Sequence, residues 1–216
     1  MLRPTAASCL RALPLLSALA FVGIAVGGKH SIFDGLFDLF GDGPEPRAAT
    51  LDSSLYRVRC VSYGLPPGGF SAMMAVTAPY YESGVVAFPE GVVREIFLTT
   101  PDNSYQFIIL FFEERAEAAI KAQYGTDTSD AAWQALETGA KAAGFMSDPV
   151  QFSYMDAAAL YGAETPVTIP APGSTMPPLP GWPAAFPSIA GAIVQSDAPV
   201  NANGVYEGVA LSAQWQ

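Results

Sequence analysis

The hydrophobic and polar positions of the first 43 residues follow a different pattern from those of the rest of the chain. Residues 12–28 carry no charge and lie between Arg11 and Lys29. As a helix this run would be about 25 Å long, at the lower limit of what spans a hydrocarbon core. The pattern therefore predicts a membrane anchor or a signal peptide at residues 1–28, with the lipid bilayer as a partner.

Two interpretations of residues 1–28 stay open. Arg3 and Arg11 could form the basic region of a signal peptide cleaved after Gly28. The apolar run continues past the better small-residue site at Ala18–Ala20, which favours an uncleaved anchor. The basic residues on the N-terminal side predict a single-pass protein of the inner cell membrane, with a cytoplasmic N-terminus and a periplasmic body.

Residues 31–41 have the spacing of a short amphipathic helix. Asp34, Asp38 and Asp42 recur every four residues on the polar side. Because interfacial helices usually carry basic residues there, this segment favours another membrane protein subunit over anionic lipid. Packing against the protein's own body is the alternative. The predicted docking side chains are apolar: Ile32, Phe33, Leu36, Phe37 and Phe40.

The body begins with patterns typical of strands. Residues 55–63 alternate in a way that predicts a strand with one wet face, which would carry Arg57 and Arg59. Residues 85–88 predict a further strand. Residues 92–112 predict a β-hairpin that turns at 101–104, and its second strand, 105–112, is apolar enough to be buried on both faces.

Helical patterns follow the hairpin. Glu113, Glu114 and Glu117 suit the first turn of a helix that runs to about Tyr124. A second helix is predicted from about Asp130 to Ala143, with Gly144 as its stop. Residues 150–154 predict a strand and 156–161 a short helical turn. Residues 70–77 fit either a helix or a strand.

The composition changes at Thr165, after which nine prolines occur in 52 residues. This predicts an extended arm. The arm carries Trp182 and Phe186, and we expect it to lie against a surface of this domain or of a partner. Residues 188–195 and 205–215 suggest a terminal hairpin, on which Trp215 is a further docking residue.

Together these patterns predict an α+β protein. Residues 1–28 are the anchor or uncleaved signal, and residues 29–48 are the amphipathic segment and linker. Residues 49–164 are an extracytoplasmic domain with a small antiparallel sheet and two helices packed on one face. Residues 165–216 are a proline-rich extended C-terminal arm with a possible terminal hairpin.

Charge and cysteine content exclude some classes of function. From Lys29 onward the chain has eight basic and 20 acidic residues, which disfavours nucleic-acid binding. Cys9 precedes the apolar run and Cys60 follows it, so no intramolecular disulfide is expected and Cys60 should be a lone thiol.

Candidate chemistry is sparse. His30 is the chain's only histidine, which disfavours histidine-based catalysis and His-rich metal sites in the body. Ser71 lies in a Gly-Phe-Ser-Ala-Met sequence that departs from the nucleophile elbow at its last position. Glu113 and Glu114 more closely fit a solvated helix start. We therefore predict no catalytic residue, no cofactor and no metal site.

These observations favour a non-catalytic, membrane-anchored accessory or structural subunit that docks on a membrane protein complex from the periplasmic side. One alternative is a cleaved, secreted or periplasmic module that binds a ligand or an envelope polymer. A further alternative is an envelope hydrolase that uses carboxylates or Ser71.

Overall fold

A computed structural model describes residues 48–82, 87–124, 138, 141–146, 150–163 and 166–207. These residues belong to one compact unit that covers residues 44–216. The predicted anchor and amphipathic segment lie outside the described residues. No helix in the described ranges is long and apolar enough to cross a membrane.

The described part is an α+β fold with a five-stranded and a two-stranded sheet. The strands are β1 (Ala49–Leu51), β2 (Arg57–Gly64), β3 (Val92–Thr99), β4 (Tyr105–Phe112), β5 (Gln151–Asp156), β6 (Val167–Ile169) and β7 (Ile193–Pro199). The helices are α1 (Gly69–Glu82), α2 (Glu117–Tyr124) and α3 (Ala157–Tyr161), with single 3-10 turns at Ser53–Leu55 and Glu114–Ala116.

The main sheet has the strand order β5-β2-β4-β3-β7, and all its pairs are antiparallel. The predicted hairpin at 92–112 is confirmed, since β3 and β4 pair directly and residues 101–104 form the turn between them. β4 is the central strand, and Phe107, Leu110 and Phe112 show that both of its faces are buried. A continuous apolar run is what such a position requires.

Both faces of the main sheet are covered. The first face packs against α1 and α2 through side chains that include Phe70, Met74 and Ile120. The second face packs against α3 and the small β1–β6 sheet, with Leu160 and Ile169 fully buried. The described helices therefore lie on both faces of the sheet. The helix predicted at 130–143 lies mostly outside the described residues, although Gly144 does adopt a left-handed φ of 76°.

The prediction that the first strand has one solvent-exposed face is wrong. Arg59 is only 4% exposed, because β2 lies inside the sheet between β5 and β4 and both faces are covered. Its guanidinium lies 5.1 Å from the centre of the Phe152 ring. Long stems and planar heads let arginine bury in this way, so alternation alone does not identify a solvated face.

The strand predicted at 85–88 is not found in its described half. Ala87 and Phe88 have no regular secondary structure, while Val85 and Val86 lie outside the described residues. The ambiguous residues 70–77 belong to α1. The predicted strand at 150–154 and the helical turn at 156–161 are confirmed as β5 and α3.

The described part of the proline-rich region is not a separate arm. β6 pairs with β1, and β7 forms an edge of the main sheet beside β3. Between these strands, Met176, Leu179 and Ile189 are buried on the second face. Proline is tolerated at an edge strand, where Pro199 lies, so the composition did not exclude sheet pairing.

Candidate functional site

Two of the eight predicted docking residues fall within the described part of the chain. Trp182 and Phe186 are half-buried against the second face of the sheet. The remaining six lie outside it: Ile32, Phe33, Leu36, Phe37, Phe40 and Trp215. Their role in docking stays a prediction.

Trp182 and Phe186 contact the domain that carries them. The Trp182 ring lies edge-to-face against Phe107 and against Phe186, with 5.5 Å between ring centres in each pair. Its indole Nε1 donates a hydrogen bond of 2.9 Å to the Pro187 carbonyl. These contacts hold the loop between β6 and β7 on the sheet, and they leave only part of each ring for a partner.

A shallow depression of about 400 Å³ lies beside the start of β2. Its lining residues are Leu55, Tyr56, Glu113 and Arg115. Among the side chains that the structure describes, Leu55 is the only large apolar one that is mostly exposed, at 63%. The sequence did not single it out, because one leucine before a strand is ordinary and its exposure depends on the tertiary fold.

The rim of the Leu55 depression is held by ion pairs. Arg115 Nε lies 2.5 Å from Glu113 Oε2, and Arg115 Nη1 lies 2.8 Å from Glu90 Oε1. Two carboxylates therefore share one guanidinium. The three side chains of the pairs are between 42% and 77% exposed, so each pair contributes little to stability but the rim keeps an excess of negative charge.

A second depression, of about 260 Å³, lies where α1 begins. Ser71 is exposed there, with Asn103 from the β3–β4 turn and Gln195 from β7. The Gln195 amide donates to Thr99 Oγ1 at 2.7 Å. None of the residues that line this depression can act as a general base for Ser71, so the geometry gives no nucleophile activation.

A buried acid lies on the first face of the sheet. Glu95 is 8% exposed, and its Oε2 accepts a hydrogen bond from the Tyr206 hydroxyl. Burial raises the pKa of Glu95 to about 7, while the Tyr206 hydrogen bond and the charge of Arg59 act to lower it. Sequence reasoning missed this group, although a charged residue at an inward position of a strand is the signal that could have found it.

Tyr63 and Gln106 extend this polar layer. The Tyr63 hydroxyl donates to Gln106 Oε1 at 2.5 Å, and Gln106 has no exposed surface. Burial, and then the nearby charge of Glu95, raise the pKa of Tyr63 well above its ordinary value. Tyr63 is therefore neutral at physiological pH and serves as a hydrogen-bond donor within the core.

The described residues contain no group of three histidine, cysteine, aspartate or glutamate side chains that could hold a metal ion. The Glu113 carboxylate is paired with Arg115. Comparison with family models, with curated proteins and with solved structures finds no match to this chain.

Proposed function

We propose that this chain is a non-catalytic, membrane-anchored accessory subunit that docks on a membrane protein complex from the periplasmic side. The apolar run at residues 12–28 supports the anchor, and the acidic amphipathic segment after it supports a protein partner. The observation that carries the proposal is the exposed Leu55 side chain beside the 400 Å³ depression.

The occupant that we propose for this depression is a periplasmic segment of the partner with one large apolar side chain flanked by lysine or arginine. A single exposed leucine is common on protein surfaces and alone would suggest nothing. Here the apolar centre adjoins the Glu113–Arg115 ion pair, and Arg115 pairs with Glu90 as well. An apolar anchor inside a charged rim is the usual anatomy of a docking surface.

A substitution at Leu55 tests the docking surface. Leu55→Asp removes the apolar centre and adds a charge, so we expect the full chain to lose most of its partner on purification from detergent-solubilised membranes. Loss of a buried anchor of this size weakens binding by about 2 kcal/mol, or roughly 30-fold.

The matched control is Ala72→Asp, which adds the same charge at an exposed position of α1, beyond the opposite end of β2. We expect Ala72→Asp to keep the partner. Equal recovery of the partner with both variants would refute docking at Leu55, and equal loss would show that added charge alone disrupts the complex.

The alternative is a secreted or periplasmic module that binds a ligand or an envelope polymer. The depression at the start of α1, with Ser71, Asn103 and Gln195, is the feature that favours it. N-terminal sequencing of the mature protein separates the two proposals, because the alternative expects a chain that begins near Lys29. A hydrolase would lose activity in Ser71→Ala, Glu113→Gln or Glu114→Gln, and unchanged activity in all three variants would remove that class.

A further inference from the structure

Residues 200–207, called the clasp below, fold back across the end of β7. Val200 pairs with Tyr206 in an antiparallel bridge, and Glu207 N donates to the Pro199 carbonyl at 2.8 Å. Asn201 stabilises the turn by accepting from Val205 N at 3.2 Å through its Oδ1. The clasp is therefore a small hairpin with a defined turn.

Backbone and side-chain contacts hold the clasp on the sheet and on the segment before β3. Val200 N donates to the Val93 carbonyl at 2.9 Å, and Phe88 N donates to the Gly204 carbonyl at 2.9 Å. The Tyr206 ring lies 5.3 Å from the Phe88 ring in an edge-on arrangement. The Tyr206 hydroxyl then reaches Glu95 on β3, 111 residues away in sequence.

The clasp and the sheet together enclose the Glu95 carboxyl. Among the described side chains, the titratable or charged ones that face it are Tyr206 of the clasp and Tyr63 and Arg59 of β2. Arg59 on β2 and Glu95 on β3 both pair with Leu110 of β4, so Arg59 lies two strands away from Glu95. The other described side chains of this face are mainly apolar, including Phe70, Met74, Phe97, Phe112, Ile120 and Ala198.

We propose that protonation of Glu95 keeps the clasp closed on the sheet and that loss of this proton favours its opening. In the closed form the carboxyl is shut away from water among apolar side chains, where the charged form is costly. When the clasp lifts, water reaches the carboxyl and the ionised form becomes acceptable. Glu95 and the clasp therefore form a pH-sensitive switch, which does not depend on the proposed docking function.

The direction of the pKa shift of Glu95 agrees with the proposal that the closed form holds the proton. Burial raises the pKa from 4.5 to about 7 in the closed form. Because the closed form holds the proton more tightly, closure is fully favoured below pH 4.5, and this advantage is lost as the pH rises through 7. At high pH the opening equilibrium is favoured by about 240-fold relative to pH 4.

Hydrogen exchange of the full chain measures the opening directly. After correction for the intrinsic effect of pH on exchange, we expect amides of residues 200–207 to exchange about 70-fold faster at pH 8 than at pH 5. In Glu95→Gln, which keeps the shape and the hydrogen-bond acceptor but cannot ionise, the corrected rates should not change with pH.

Glu207→Gln is the matched control, because Glu207 is an exposed carboxylate within the clasp itself. It should keep the wild-type pH dependence. Corrected exchange in the clasp that is the same at both pH values would overturn the proposal. So would a Glu95→Gln variant with the wild-type dependence, or amides of β4 that accelerate by the same factor as those of the clasp.

Discussion

The Cys60 thiol shows how burial decides the chemistry of one side chain. Cys60 has no exposed surface and lies on the second face among Val58, Ile109 and other apolar residues. Burial raises its pKa to about 12, against a smaller opposing effect of Arg59. Because the thiolate is the reactive form, this residue behaves as a small apolar core side chain.

Labelling with an alkylating reagent tests this account of Cys60. In a Cys9→Ser background at pH 8, we expect the native thiol to react about a thousandfold more slowly than after denaturation. Intact-mass measurement over time gives both rates. A native thiol that reacts as fast as the denatured one would show that Cys60 is accessible and ionisable in the folded protein.

Arg59, also at the scale of single residues, shows what could not be predicted from the sequence. Alternation predicted correctly that Arg59 points away from Cys60, since one has its side chain on each face of β2. It did not tell whether the first face, on which Arg59 lies, meets water. That depends on β5, whose Phe152 covers the guanidinium, and on a pairing between residues about 100 positions apart in sequence.

At the scale of elements, one ion pair joins β3 to β7. Arg94 Nη1 lies 2.6 Å from both carboxylate oxygens of Asp197, whose side chain is 7% exposed. Burial raises the pKa of Asp197, and the hydrogen bond and charge of Arg94 act to lower it. Each partner therefore makes the burial of the other tolerable.

Removal of one partner of the Arg94–Asp197 ion pair should lower the unfolding free energy more than removal of both partners. We expect Arg94→Met to lose about 3 kcal/mol of unfolding free energy at pH 7, because it leaves a buried carboxylate without its cation. The loss should shrink as the pH falls, since protonation neutralises Asp197. Arg94→Met combined with Asp197→Leu should regain part of it. Denaturant titration at two pH values measures this, and a double variant no more stable than Arg94→Met alone would contradict it.

The turn of the clasp depends on Gly204. Its φ is 73°, and an added Cβ would lie 2.3 Å from the Phe88 carbonyl oxygen. Gly173 has a similar φ of 84° but open space around the Cβ position. We expect Gly204→Ala to cost more than about 3 kcal/mol and Gly173→Ala only about 1 kcal/mol, since only the first adds a clash to the backbone strain. Similar thermal unfolding of the two variants would contradict this packing.

At the scale of the whole molecule, elements set by local sequence patterns were predictable, and pairings between distant segments were not. The β3–β4 hairpin follows from two apolar runs and a short turn between them. The start of β7 falls within the strand predicted at 188–195, but its pairing with β3, about 100 residues earlier, has no local signal. The exposed Leu55 likewise follows only from the assembled fold.

The central claim is that the chain works as a membrane-anchored subunit of a larger complex. Native mass measurement after gentle detergent extraction from membranes tests it most directly. The account predicts a full-length chain of 22.7 kDa, with residues 1–28 retained, bound in a defined complex with other membrane protein subunits. A lone soluble monomer that lacks residues 1–28 would contradict the claim.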